Sequence, residues 1–358
     1  MSKHLIPPGE FIRDELNARG WGQSDLAEIM GRPVKTVSQI VNGSKAITTS
    51  TAKQLAAVFG TSPTLWMNLE SAYRLALDDF EADDIVRRAA IYDKFPVAEM
   101  VRRKWIEKCA NTHELERELA RFQGALTGAA RKSAEQTTGS EVAWLCRVRE
   151  MASSVSTPHK FTRNRLEKHL DELRALTVSE QEVRKVPDVL GQMGIRFLIV
   201  QHLQGTRIDG YTLWLDKDKP VIVMSLRYDR IDGFWHTLAH ELSHVRHGDR
   251  PPIDVNLVGS ERMPPTDEME RRADMDAGDW LIGTSTLESF VVRTAPRFSK
   301  RRIMQFANLH QIHPGIVVGQ LQYRGHIKYS HNREMLVGIR DLLTETTLTD
   351  GWGHTLGG

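Results

Sequence analysis

The chain has 358 residues, 40% of them hydrophobic and 26% charged, with a formal net charge of +2. That length implies more than one domain with ample apolar content for packed cores. So even a charge balance excludes indiscriminate coating of nucleic acid and leaves DNA contact to local placement of Lys and Arg. Cys109 and Cys146 are the two cysteines and show no pairing or metal-ligand pattern. With no secretory leader and no long apolar run, they argue for a reducing bacterial cytoplasm and against a membrane span.

Gln23 to Gly31 predicts a short helix: Ser24 as N-cap, Leu26, Ala27, Ile29 and Met30 as apolar face, Gly31 as the stop. After Arg32-Pro33, Val34 to Val41 predicts a second helix, ended by Asn42-Gly43. Two short helices joined by a tight turn form a helix-turn-helix, whose second member enters the DNA major groove. Val34, Val37, Ile40 and Val41 are expected to face inward. Lys35, Thr36, Ser38 and Gln39 are expected to face out, where Gln reads adenine edges and Lys, Ser and Thr contact phosphates or bases. Lys45 follows as a candidate for holding the DNA backbone.

The pattern of Pro8–Leu16, Gln23–Gly31, Val41–Thr48 and Thr51–Leu69 resembles the HigA-type branch of the XRE regulators. The resemblance implies an all-α, five-helix DNA-binding domain over residues 1–77 that dimerises on a two-fold operator in double-stranded DNA.

Residues 78–185 are rich in charge and helix formers and predict a helical linker or dimerisation region. Leu115, Leu119 and Phe122 form one helical stripe; Leu166, Leu170 and Leu173 form another. Gly124 to Gly139 is small and polar enough for a loop or hinge. Val189 to Gly194 then ends a helix, and Ile195 to Val200 begins a sheet. Arg207–Leu215 and Val221–Leu226 read as a hairpin around Asp216–Pro220. Such a hairpin suits a sheet edge that holds an extended peptide.

The strongest chemical signal follows in His240-Glu241-Leu242-Ser243-His244. On a helix, residues four apart share a face, so His240 and His244 can grip one zinc ion, with Glu241 placed as general base. A third ligand is required. The run after Pro264-Pro265 predicts a return helix in which Glu270 takes the metal, while Asp274 accepts the spare ring N–H of a ligand histidine. Glu268, Asp267 and Asp276 are rivals for that role, whereas His236 and His247 read as structural or solvent-facing.

These elements, with Gly210–Trp214 and Pro220–Met224, resemble the ImmA/IrrE zinc metallopeptidases. That resemblance implies zinc on His240, His244 and Glu270, Glu241 as catalytic base, and a zincin-like α+β core over residues 186–284. A helical extension over 285–358 is expected behind it, its last residues frayed. His313, before Pro314-Gly315, and Tyr211 are candidates for oxyanion or substrate contact.

The expectation is a multidomain α and α+β protein of the cytoplasm, nucleoid-associated when bound to DNA. It would join a DNA-binding head to a zinc endopeptidase that cuts a repressor or antitoxin-like protein under stress or phage attack. The alternatives are an autoregulating antitoxin-like repressor with a structural or sensing zinc domain, and a scaffold for a toxin partner.

Overall fold

The structure, a computed structural model, describes residues 6–77, 82–124, 138–249 and 268–355. Two compact units divide the chain, residues 1–84 and 85–358. In the first, α1 (Pro8–Arg19), α2 (Gln23–Met30), α3 (Val34–Val41), α4 (Thr49–Phe59) and α5 (Pro63–Leu77) close around Ile12, Leu26, Val37, Leu55 and Trp66. The five expected helices are therefore present. Gly9 lets α1 meet α3 backbone to backbone, since a Cβ there would lie 1.8 Å from the Val41 carbonyl oxygen.

Three details differ from expectation. The N-cap of α2 is Gly22, not Ser24, and its N–H donates to Asp25 Oδ2 at 2.6 Å. Ile29 is 51% exposed and Val34 52% exposed, so neither belongs to the apolar face. The core is closed by Leu26, Ala27 and Met30 on α2 and by Val37, Ile40 and Val41 on α3. Ile29 falls on the flank of its stripe, and Val34 sits in the first turn of α3, outside the buried cluster.

The second unit starts inside α6 (Ala82–Lys94) and continues through α7 (Val97–Arg102), α8 (Thr112–Gln123), α9 (Gly139–Ser154), α10 (Arg163–Ala175) and α11 (Val186–Met193). Strands β1 (Arg196–Val200), β2 (Gly210–Trp214) and β3 (Pro220–Met224) precede α12 (Ile231–His247) and α13 (Glu268–Ile282). Then come α14 (Thr284–Thr294), α15 (Lys300–Leu309), α16 (Pro314–Tyr323) and α17 (Arg340–Thr344), with β4 (Thr349–Gly351) and β5 (His354–Thr355) last. No helix among the described residues is long and apolar enough to cross a membrane.

The five strands form one sheet in the order β2-β3-β1-β4-β5. β1 runs parallel to β3 and β4, while β2–β3 and β4–β5 are antiparallel hairpins. Successive side chains point to opposite faces. Phe197, Ile199, Ile222 and Met224 join the core that holds α12 and α16; Leu198, Val200, Val221 and Val223 join Leu115, Leu119 and Trp144 on the other face. Each such side chain contributes about 1.5–3 kcal/mol when fully buried. Helices on both faces explain why β1 and β3 are almost wholly apolar.

This packing corrects two expectations. Residues 85–124 and 138–155 are no linker, since Phe95, Trp105, Phe122 and Trp144 make one of the two cores of the sheet domain; most of the expected Gly124–Gly139 loop lies outside the described residues. The C-terminal stretch is helical through α14–α17, as expected, but its end is not frayed up to residue 355. There β4 pairs with β1, and Trp352 Nε1 donates to the Ser225 carbonyl at 2.9 Å, while residues 356–358 lie outside the described residues.

Candidate functional site

α12 is amphipathic in the way its sequence demands. Phe234, Trp235, Leu238, Leu242 and Val245 fix it in the core, leaving His240, Glu241 and His244 buried against its neighbours α13 and β2. His240 Nε2 and His244 Nε2 converge to 3.1 Å. Glu270, from α13, brings Oε2 to 3.1 Å from His240 Nε2 and Oε1 to 3.5 Å from His244 Nε2. Tetrahedral zinc with bonds near 2.0–2.1 Å holds adjacent nitrogens about 3.3 Å apart. Two imidazoles and one carboxylate at these separations therefore fit a zinc ion. Among the described residues these three form the group able to hold a metal.

The outer contacts orient the rings. His240 Nδ1 meets Asp274 Oδ1 at 3.0 Å, as expected from the spacing on α13. His244 Nδ1 meets Asp249 Oδ2 at 3.2 Å, a partner that the sequence analysis missed. Gly248, with φ of 74°, ends α12 in the left-handed conformation and turns the chain so that Asp249 doubles back on the ring. Trp214 Nε1 donates to the Asp249 carbonyl at 2.9 Å, and Arg272 pairs with its carboxylate. A carboxylate behind each histidine fixes its tautomer and presents Nε2 inward.

The rival ligands fall elsewhere. Glu268 is exposed, Asp276 accepts from Ser243 Oγ at 2.7 Å and meets His247 Nε2 at 3.0 Å, and Asp267 lies outside the described residues. His236 lies 3.8 Å from Asp274 and packs near Tyr323, apart from the ligand set.

Electrostatics follow from burial among carboxylates. Desolvation acts to lower the His240 pKa, but hydrogen bonds to Asp274 and Glu270 carry it up to about 10. Glu241 is raised by burial, with His240 and His244 opposing. Its side chain fits beneath β2 only because residue 210 is glycine: a Cβ there would sit 2.6 Å from Thr237 Cγ2 and 3.0 Å from Glu241 Oε1. Thr212 Oγ1 donates to the Glu241 carbonyl at 3.0 Å, tying strand to helix.

Of the two remaining expected contacts, Tyr211 lies within electrostatic reach of Glu241 and His313 is held by other partners. Tyr211 alternates onto the opposite face of β2 from Gly210 and Thr212 and packs against the α8–α9 core, yet it still feels Glu241: burial first, then that carboxylate, raises its pKa to about 12. His313 is the N-cap of α16: Nδ1 accepts from Gly315 N–H at 3.1 Å and Nε2 lies 3.6 Å from Glu180. Its partners there, Gly315, Glu180 and the Thr177 carbonyl, lie outside the group of His240, His244 and Glu270.

In the first unit, α2, the left-handed Gly31 and α3 make the expected helix-turn-helix. Lys35 and Lys45 are exposed; Thr36, Ser38 and Gln39 are half-buried on the outer side of α3. The Gln39 carbonyl accepts from Lys45 N–H at 3.0 Å and Ser44 Oγ at 3.1 Å, and Asn42 Nδ2 donates to Ser38 Oγ at 3.3 Å. Arg32, which sequence reasoning passed over, locks the turn to α4 through Gln54 at 2.6 Å.

The helix-turn-helix family model matches residues 12–66. An uncharacterized HTH-type transcriptional regulator of Haemophilus influenzae is 42% identical over 82 residues, 23% of this chain and 75% of its own length. Antitoxin HigA-1 of Vibrio cholerae is 38% identical over 71 residues, 20% of this chain and 67% of its own. Among solved structures, an addiction module antidote protein of the HigA family from Coxiella burnetii is 32% identical, covers 24% of this chain and 95% of its own, and has a TM-score of 0.22. Through this N-terminal domain the chain belongs to the helix-turn-helix family of DNA-binding transcriptional regulators, alongside HigA-like antitoxins.

Proposed function

We propose that this regulator binds operator DNA through its first unit and carries a zinc-dependent endopeptidase in its second, acting on a repressor or antitoxin-like protein. The observation that carries the reading is the convergence of His240, His244 and Glu270 beside a buried Glu241. Zinc held there supplies Lewis acidity toward a carbonyl oxygen and acidifies a water. Glu241 takes the proton of the attacking water and passes it to the leaving amine. Burial raises its pKa, which suits exchange in both directions.

β2 supports the substrate side of this reading, because it is the edge strand of the sheet. Leu215 N–H donates to Lys219 and Ser225 N–H to Asp209, so odd-numbered residues turn their main chain toward β3. The main-chain groups of Gly210, Thr212 and Trp214 therefore point outward, in register for an added peptide strand.

Zinc content and cleavage, measured together on wild type and Glu241→Gln, test the proposal, with proteins encoded beside the gene as substrates. Stoichiometric zinc in both, with cleavage reduced about 10²–10⁴-fold in the variant, is the expected outcome. Zinc in both proteins without cleavage by wild type transfers support to the second reading. That reading, favoured by the likeness to antitoxin HigA-1, is an autoregulating repressor with a toxin partner and a sensing or structural metal. A small protein copurifying with the chain is its signature.

A further inference from the structure

Val34 is the second-unit-independent puzzle of the DNA-binding head: a β-branched residue, 52% exposed, at the start of α3. Val37, Ile40 and Val41 complete the core of that helix without it. Local helix stability does not explain it either, since valine is a weaker helix former than the straight-chain residues. Along the helix, Val34, Ser38 and Asn42 share one edge at four-residue spacing, and Lys35 and Gln39 form the adjacent row.

Residues at the N-terminal end of a recognition helix are those that reach base edges in the major groove. The Val34 side chain offers neither donor nor acceptor. The one apolar group displayed in that groove is the C5 methyl of thymine. Its χ1 is nearly fixed in a helix, so the two methyls are held ready with little rotamer entropy to lose.

We infer that Val34 is a specificity-determining residue that packs on a thymine methyl in each operator half-site. Lys35 and Gln39 supply the polar contacts beside it. The inference rests on the DNA-binding reading of the first unit and adds to it one base and one atom.

The test selects duplexes from a random library with the full-length chain, using wild type, Val34→Ser and Val34→Thr, each checked by thermal melting. Each enriched thymine is then replaced by uracil, which removes only the methyl. Wild type is expected to lose about fourfold in affinity at one thymine per half-site, the value of one buried methyl group. Val34→Ser is expected to bind thymine and uracil equally there, and Val34→Thr, which keeps one methyl, to retain part of the preference. If uracil weakens wild type and Val34→Ser to the same extent at every position, or weakens neither, the assignment of Val34 is overturned while the regulator stands. If no duplex is enriched by folded wild type, the DNA-binding reading falls, and Val34 with it.

Discussion

Asp249 stands one residue beyond the glycine that stops α12, yet its carboxylate reaches back 3.2 Å to His244 Nδ1. Removing such an outer-shell carboxylate typically weakens metal binding about 10–100-fold. Asp249→Ala should show that loss in a chelator-competition titration for zinc, with unit folding preserved. His202 makes a separate prediction, away from the metal site. Burial lowers its pKa from 6.5, and Arg227, Arg103 and Arg340 add to the effect against Glu99. The unfolded chain therefore takes up this proton first, so stability is complete above pH 6.5 and falls as pH drops below it. Urea midpoints at pH 7.5 and 5.5 should differ less in His202→Gln than in wild type; an identical difference in the two proteins would remove His202 from the account.

At the scale of elements, the contact of β2 with α12 decides where Glu241, the proposed general base, sits. Gly210→Ala drives a methyl into Thr237 and the Glu241 carboxylate. Overpacking of this kind costs about 1–3 kcal/mol. Zinc should remain bound while cleavage is lost, separating base placement from metal retention. Retained cleavage would show that Glu241 tolerates displacement.

The same elements show what a sequence can carry. His240, His244, Glu270 and Asp274 were legible because helical spacing of four residues places them on shared faces. Asp249 was not, because its position depends on a left-handed turn that no periodicity announces. Val34 and Ile29 were misplaced for the converse reason. Apolar character was read as burial, but a helix end and a stripe's flank lack neighbours. Tyr211 and His313 were identified as polar groups near the site, and only strand alternation and a capping bond show where they point.

For the whole molecule, the two cores of the second unit span nearly its whole length, from Phe95 to Leu343. The segment 186–284 alone contains the metal residues and keeps α11 and α12 on one face of its sheet, but it bares the face that Trp105, Leu115 and Trp144 cover. It should lack a cooperative melting transition, whereas residues 85–358 and residues 1–84 should each show one by circular dichroism. A cooperative transition in the short segment would restore the boundaries read from the sequence. Those boundaries were not legible because the helices of both faces come from distant stretches of chain, before and after the strands.

The placement of β4 beside β1 has a consequence for timing in the cell. During synthesis the N-terminal helices emerge and fold first, while the sheet waits for residues 349–351, on the order of tens of seconds later at usual elongation rates. A nascent chain can thus occupy its operator before its second unit is finished. The sheet that lays Gly210 against Glu241 is whole only after β4 has emerged, so the newest copies are readers of DNA before their second unit has taken its final form.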